Sequence, residues 1–412
     1  MGETAPPLLA YIKSLRAVLA VSRHGSTVRA AEAIHISQPA VARSIIELEK
    51  ACGLALFSRA TKGMAPTPPG ARLAARAEAV FQHLTLGATE CAAAAPVASR
   101  SPPPPDRFPA VVSPGQLRAL VAIATGGSET RAAQSLGVTQ PAVHAALQGL
   151  EDLLGIRLFY KLISGTRLTP AGEAMLRRVK LAMAEVRAME GDIAAWRGEI
   201  RGRIVVGVLP LSVPIFLPRA VDALLAIHPN IDIQIVDGTY ESLVRQVLSA
   251  DVDAIAGALR ADVPASEIRQ LHLFDDDLVV VARAGHPCLQ RELKGLSDLL
   301  QWNWVIPLPG TPADRALREV FRSQGLLAPA SGLQASSPAL TLSFVMQTGR
   351  LAIASRGQAL VDNHGGQLCI VPLELPSTMR RIGVATRAMG EPSHDLRLFL
   401  EACRTAVPDA AR

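Results

Sequence analysis

Cysteine is scarce in this sequence: Cys52, Cys91, Cys288, Cys369 and Cys403 are scattered, odd in number and never form a CxxC pair. That excludes a disulfide framework and a cysteine-based zinc site, and it fits a reducing compartment. Histidines, among them His24, His35, His144, His228, His272, His286 and His364, show no metal-ligand spacing, and HExxH, GxSxG and P-loop signatures are missing. No stretch approaches the roughly 18 apolar residues that a membrane helix needs. The first twenty residues lack a basic region ahead of an apolar core, so no secretory leader is expected. Charged residues make up only 19% against 49% hydrophobic, a balance that suits compact folding. The expectation is therefore a cytoplasmic protein with no cofactor, no catalytic role and no membrane partner. The run Asp275-Asp276-Asp277 reads as an acidic turn at a strand start rather than as a metal site.

What is present is uneven charge and a repeat. Residues 1–203 carry 24 Lys+Arg against 15 Asp+Glu, whereas the remainder carries 18 against 21. A basic front half on a mildly acidic back half points to a polyanionic partner for the front. Leu15 aligns with Leu117, and an offset of 102 residues holds without a gap through Gly70 and Gly172, with 22 of the 56 positions identical. Leu15, Val18, Leu19 and Ser22 give a first helix with an apolar face. Ser26 is placed to cap a second helix, Thr27 to Ile34. His35-Ile36-Ser37 turns the chain, and Pro39 sits in the first turn of a third helix that Val41, Ile45 and Leu48 hold to the core. Such a tight helix pair, ending in a helix with a free polar face, is a helix-turn-helix. The pairs Leu56-Phe57 and Leu158-Phe159, each followed by a basic, Gly-containing loop and a Thr-Pro, read as two-stranded wings lying along a phosphate backbone. Long helices follow from near Pro69 and Pro170.

RAAEAIHISQPAVARSIIELEKACGLALFSR followed by TPPG, and RAAQSLGVTQPAVHAALQGLEDLLGIRLFYK followed by LTPAG, resemble the winged DNA-binding domain of LysR-type transcriptional regulators. Such regulators usually carry one copy, so the duplication is a departure. Copy one offers Arg29, Ser37, Gln38, Arg43 and Ser44 on or beside its reading helix, with Arg59 and Lys62 on the wing. Glutamine reads adenine edges, arginine reads guanine or holds phosphate, and hydroxyls suit phosphate. Copy two offers Arg131, Thr139, Gln140, His144, Lys161 and Arg167, but Ala145 and Ala146 stand where copy one has Arg43 and Ser44. Copy one is the better equipped reader of double-stranded DNA. Copy two either adds weak, phosphate-dominated binding or serves packing and dimer contacts.

Between the copies, PVASRSPPPPDRFP (96–109) predicts a polyproline spacer of roughly 43 Å at about 3.1 Å per residue. ATECAAAAP before it reads as the frayed end of the first long helix. On the second long helix, Met175, Val179, Ala182, Val186, Met189, Ile193 and Trp196 step by 4 and 3 in alternation. That narrow seam suits pairing with a second copy of the chain, in a homodimer or homotetramer, whereas a helix packed on its own domain usually shows a wider stripe.

From Arg203 short apolar runs alternate with helices, which predicts an α/β domain with a mostly parallel sheet. It resembles the two-lobed effector-binding domain of the same family, similar in architecture to periplasmic solute-binding proteins. By that resemblance lobe one holds roughly 203–281 with a return at 380–412, and lobe two the middle. Loops Pro210-Leu211-Ser212, Gly310-Thr311-Pro312 and Ser336-Ser337-Pro338 sit at strand-to-helix turns, where helix N-termini present N–H groups to anions. They are candidate contacts for a small organic acid effector, and each hydroxyl also suits an ordinary N-cap.

The whole reads as an α+β multidomain chain. Residues 8–92 form a first winged helix-turn-helix domain with its following helix, 93–110 a linker, and 111–169 a second winged domain. Residues 170–200 form a dimerisation helix and 201–412 a two-lobed effector domain. The function expected is an effector-sensing, DNA-binding transcriptional regulator. The competing reading is a cytoplasmic solute-binding protein whose second helix-turn-helix copy serves only packing or dimerisation.

Overall fold

The computed structural model describes residues 7–60, 63–95, 104–162, 165–211, 213–260, 263, 266–330, 332–363 and 365–407. The chain forms two compact units. The first comprises Met1–Gly202 with the short segments Leu248–Asp251 and Gly390–Asp395, and the remainder forms the second.

In the first unit, copy one runs α1 (Ile12–His24), α2 (Thr27–Ile34), α3 (Gln38–Cys52), β1 (Phe57–Ala60), β2 (Gly63–Pro66) and α4 (Pro68–Ala94). After α5 (Phe108–Val111), copy two repeats the order as α6 (Pro114–Gly126), α7 (Glu129–Leu136), α8 (Gln140–Leu154), β3 (Phe159–Leu162), β4 (Gly165–Leu168) and α9 (Pro170–Trp196). Leu15 and Val18 of α1 and Val41, Ile45 and Leu48 of α3 are buried together, as their spacing requires. Ser26 stands at the extended N-cap position of α2 without a side-chain cap bond, whereas Ser128 accepts from the Arg131 N–H at 3.2 Å.

The Thr-Pro-Pro-Gly and Thr-Pro-Ala-Gly motifs join each wing to its long helix. Thr67 Oγ1 donates to the Ala55 carbonyl at 2.7 Å and accepts from the Gly70 N–H at 3.2 Å. Thr169 does the same with Arg157 and Gly172, both at 2.9 Å. The glycines allow a close approach, because a Cβ at Gly70 would stand 1.9 Å from the Leu56 carbonyl oxygen and one at Gly172 2.1 Å from that of Leu158.

Two expectations about the middle of the chain are corrected. Residues 88–94 belong to α4, with Cys91 fully buried, because that alanine-rich end has a packing partner. The spacer is shorter than fourteen residues: Pro105–Arg107 and α5 are helical and Phe108 is buried in the core. Residues 96–103 lie outside the described residues.

The seam on α9 faces its own chain rather than a second one. Met175, Val179, Ala182, Val186, Met189 and Ile193 are buried in a single core shared with α4, and only Trp196, at 52% exposure, lies open. The partner stripe is Leu73, Ala77, Val80, Leu84, Gly87 and Cys91, which holds the equivalent positions of copy one under the same offset of 102 residues. Its alanine and glycine conceal the heptad. The helices run antiparallel, since Arg76 meets Asp192 at 2.6 Å and Glu185 at 2.8 Å, while Arg177 meets Glu90 at 2.9 Å and Arg178 pairs with Glu90 as well. Burial pushes the Cys91 thiol up to about 12 and the Cys52 thiol to about 11, so neither is a reactive thiolate at neutral pH.

The second unit contains two five-stranded sheets. Its elements are β5 (Gly202–Val208), α10 (Leu217–Ile227), β6 (Ile231–Asp237), α11 (Tyr240–Leu248), β7 (Ala254–Ala258), β8 (Ile268–Asp276), β9 (Leu278–Arg283), β10 (Trp304–Pro307) and α12 (Pro312–Ser323). They continue as β11 (Gln334–Ala335), α13 (Pro338–Thr348), β12 (Leu351–Ser355), α14 (Arg356–Asp362), β13 (Leu368–Ile370), β14 (Arg380–Arg387) and α15 (His394–Thr405). One sheet has the order β6-β5-β7-β14-β8 and the other β11-β10-β12-β9-β13. The expected mostly parallel sheet is corrected to mixed sheets. β5 and β7 run parallel, but β14 is antiparallel to β7 and β8, and β9 is antiparallel to β12 and β13. The reason is topological: the chain crosses from one sheet to the other after β8 and returns into β14. The crossing also moves β9 out of the first lobe, which ends near residue 277 rather than 281.

The acidic run sits at that crossing. Asp276, 6% exposed, accepts from Arg380 Nη2 at 3.0 Å, from the Gly357 N–H at 3.1 Å and from the Ser355 hydroxyl. Asp277 holds Arg356 through two bonds of 2.8 Å, and Asp275 pairs with His272 at 2.8 Å. Burial lowers the Arg380 pKa, and the Asp276 carboxylate opposes that shift. The run thus ties both crossing strands to the start of α14.

Gly70→Ala is expected to destabilise the first unit by about 1–3 kcal/mol, since backbone rather than a flexible side chain meets the added methyl. Urea unfolding of the full chain, monitored by loss of helix signal, measures it; an unchanged midpoint would show that the wing and α4 separate freely.

Candidate nucleic-acid interface and effector loops

Both reading helices turn one face to the core and leave the other open. On copy one Arg29, Ser37, Gln38, Arg43 and Arg59 are exposed and Ser44 is half-buried. Arg43 projects from the outward face of α3, and Ile46, at 64% exposure, stands one turn further on. The sequence reading missed Ile46, an exposed apolar side chain of the kind that can meet a thymine methyl. Ser37 caps α3, its hydroxyl accepting from the Ala40 N–H at 3.4 Å, and Gln38 Nε2 donates to Thr27 Oγ1 at 3.4 Å. Lys62 lies outside the described residues.

Copy two differs by more than the lost arginine. Arg131, Thr139, Gln140 and Arg167 are exposed and His144 is half-buried. Glu129 occupies the position equivalent to Thr27, and its carboxylate accepts from Gln140 Nε2 at 2.7 Å and lies 3.1 Å from His144 Nδ1. Both candidate reading side chains of α8 are therefore held by a carboxylate at the start of α7. The sequence reading missed Glu129, although the repeat alignment places it opposite a hydroxyl. Lys161 lies in β3, and its side chain is outside the described residues.

A second carboxylate, identical in both copies, fixes the wing. Glu49 Oε1 accepts from the Leu56 N–H at 2.8 Å and the Phe57 N–H at 3.3 Å. Glu151 accepts from the Leu158 N–H at 2.7 Å and from Arg157 Nη1 at 2.6 Å. Each reading helix is thereby bonded to the strand beside it.

The effector loops separate into two kinds. Thr311 Oγ1 donates to the Leu308 carbonyl at 2.8 Å and accepts from the Asp314 N–H at 3.3 Å. Asp314, 4% exposed, accepts from the Gly310 N–H at 3.0 Å and from Arg318 Nε at 2.8 Å. The N-terminus of α12 already holds a carboxylate of its own, so Gly310 and Thr311 have no donor left for an effector in this geometry. Ser337 caps α13 by accepting from the Leu340 N–H at 3.4 Å, and its hydroxyl proton is uncommitted among the described residues. Ser336 is exposed beside it. Pro210 and Leu211 follow β5, with Leu211 at φ 73° and packed against the core of the second lobe; Ser212 lies outside the described residues. Among the described residues no group of side chains is arranged to hold a metal ion.

Two winged helix-turn-helix copies with exposed arginine and amide side chains, followed by a two-sheet α/β unit, define a DNA-binding regulator with an attached sensing domain. Two family models match: the bacterial regulatory helix-turn-helix protein of the lysR family at residues 12–71 and again at 114–173, and the LysR substrate binding domain at 197–408. The chain belongs to the LysR family of transcriptional regulators. It is 32% identical over 391 residues to the transcriptional regulator GalR of Pseudomonas putida, covering 92% of this chain and 93% of GalR. The uncovered part is shorter than either copy, so that similarity runs through both. It is 28% identical over 291 residues to PcaQ of Agrobacterium fabrum, covering 71% of this chain and 94% of PcaQ. Full-length OxyR from Pseudomonas aeruginosa shares the fold with a TM-score of 0.52 at 23% identity, over 72% of this chain and 99% of that one. Full-length CbnR, solved with its target DNA, gives 0.51 at 22% identity, over 71% and 98%.

Replacing Glu129 with Thr, the residue of copy one, removes a carboxylate and releases Gln140 and His144. Glu129→Thr is expected to tighten DNA binding at low salt by on the order of tenfold. Titration of a labelled duplex at two salt concentrations measures it, and equal affinity in both proteins would place Glu129 away from DNA.

Proposed function

We propose that this regulator selects its DNA site mainly through copy one, gains affinity from copy two, and responds to a small organic anion bound in its second unit. The observation that carries the reading is the contrast between the two outward faces: Arg43, Gln38 and Ile46 stand open on α3, whereas Gln140 and His144 on α8 are engaged by Glu129. Arginine to guanine and glutamine to adenine are the strong base pairings in the major groove, so the open face discriminates and the engaged face adds phosphate contacts from Arg131 and Arg167. For the effector, the loop at Ser336 and Ser337 is the better supported contact, since it combines two available hydroxyls with the start of α13. Pro210 and Leu211 are proposed to line the same cleft from the first lobe.

Arg43→Ala is expected to lose about 1–3 kcal/mol of specific binding and relax preference at one base position. Lys62→Ala is expected to weaken all sequences alike and reduce the salt slope by about one. Binding isotherms across a salt series, on duplexes selected by the wild-type protein, read both; wild-type behaviour in both variants would sink the assignment. Ser337→Ala is expected to weaken calorimetric binding of small carboxylates with DNA affinity retained.

A further inference from the structure

We infer that one chain is by itself the complete two-headed DNA-reading unit, and that it reads an asymmetric site of two unlike half-sites in fixed order. The inference rests on the DNA-reading role proposed for α3 and α8, and adds how their target is organised.

The surfaces that could join two heads already have partners. The salt bridges Arg76–Asp192 and Arg178–Glu90 exchange under the 102-residue offset, which makes the α4–α9 pair an approximate twofold. The pairs Arg76–Asp192 and Gly87–Met175 put that axis between positions 80 and 83 of copy one and their equivalents 182 and 185. Each head is bonded to its long helix in the same way, through Thr67 or Thr169, so the axis that relates the helices relates the heads. Pro68 and Pro170 each lie twelve to fifteen residues from the axis. At 1.5 Å per residue the heads therefore join their helices roughly 36–45 Å apart, the order of one duplex turn at about 34–36 Å.

The packing selects unlike partners. A second α9 in place of α4 would bring Met189 to the position of Gly87. A lone Cβ there already comes within 3.1 Å of Met175 Sδ and 3.0 Å of Arg178 Cβ, so a methionine does not fit. A second α4 in place of α9 would bring His83 to the position of Glu185, taking a carboxylate from Arg76, which is 4% exposed. Each long helix thus fits the other better than it fits a copy of itself. The return is also local: the chain leaves α4 at Ala94, and by Phe108 it is packed back into the shared core. So short a connection gives the two helices of one chain a high effective concentration for each other. Any assembly of whole chains into homodimers or homotetramers then uses other surfaces. With Arg43 on one head and a Glu129-held pair on the other, the two halves of the DNA site cannot be interchangeable.

The test uses the full-length chain. Gly87→Cys with Arg178→Cys places two Cβ atoms 3.0 Å apart, so that a small separation of the helices brings them into disulfide range. Glu90→Cys with Arg177→Cys, on the more exposed rim and joined by a short bis-maleimide, serves if the first pair disturbs folding. Oxidation or cross-linking is expected to give a product of single-chain mass on a denaturing gel; a product of double mass would overturn the inference. Sequences selected by the wild-type chain from a random duplex pool are expected to lack inverted symmetry. Arg43→Ala should flatten one half by about tenfold in enrichment, and Gln140→Ala with His144→Ala should leave that half unflattened. A symmetric inverted repeat, or both variants flattening the same half, would overturn it as well. Absence of salt-sensitive binding to any duplex would instead remove the DNA-reading roles proposed above.

Discussion

The front unit depends on one buried ion pair. Arg76 and Asp192 are both almost fully buried and anchor a small network in which Arg76 also meets Glu185 and Asp192 also meets Arg72, so removing either leaves a buried charge short of a partner. Their contact fixes the register of two 27-residue helices, because a shift of one turn would carry the guanidinium away from Asp192 and Glu185. Everything apolar in the unit follows that register. The seam residues of α9 find the small residues of α4, and a single core reaches from Leu8 to Ile193. What looks like two domains and a spacer in sequence shares one core in structure.

Within that body each head is held by backbone geometry rather than by its surface. The threonine cap, the glycine pressed on a carbonyl and the glutamate bonded to the wing are the same in both copies. These are the parts that must be right for any winged helix-turn-helix to present its reading helix at a fixed angle. The copies differ where the chain meets solvent: Arg43 against Ala145, Ser44 against Ala146, Thr27 against Glu129. Duplication has preserved the frame and released the face.

Much of this was legible in the sequence. The order of helices and wing in each copy follows from caps, prolines and apolar spacing, and α2 runs from Thr27 to Ile34 as expected. The partner of the α9 seam was harder to see, because the matching stripe on α4 is built from Leu73, Ala77, Val80, Leu84, Gly87 and Cys91. Small residues carry little periodic signal, yet they let two helices approach closely. Pro105 to Pro109 read as spacer because its prolines mask the helical turns around Phe108. In the second unit the strands of the first lobe were visible as apolar runs, but the antiparallel return of β14 depends on pairing across about a hundred residues, which local pattern does not encode. The loop at Gly310-Thr311 has the residues of an anion site, and only the geometry of Asp314 shows it filled from within.

Glu129 shows what separate copies permit. In an assembly of identical chains, a carboxylate placed beside a reading helix would appear on every head of the assembly. Here it appears once. A head can be weakened, silenced or given a new preference by a single codon while its neighbour keeps its grip. The two recognition surfaces are thus genetically independent while remaining mechanically one object, a freedom that symmetric partners lack.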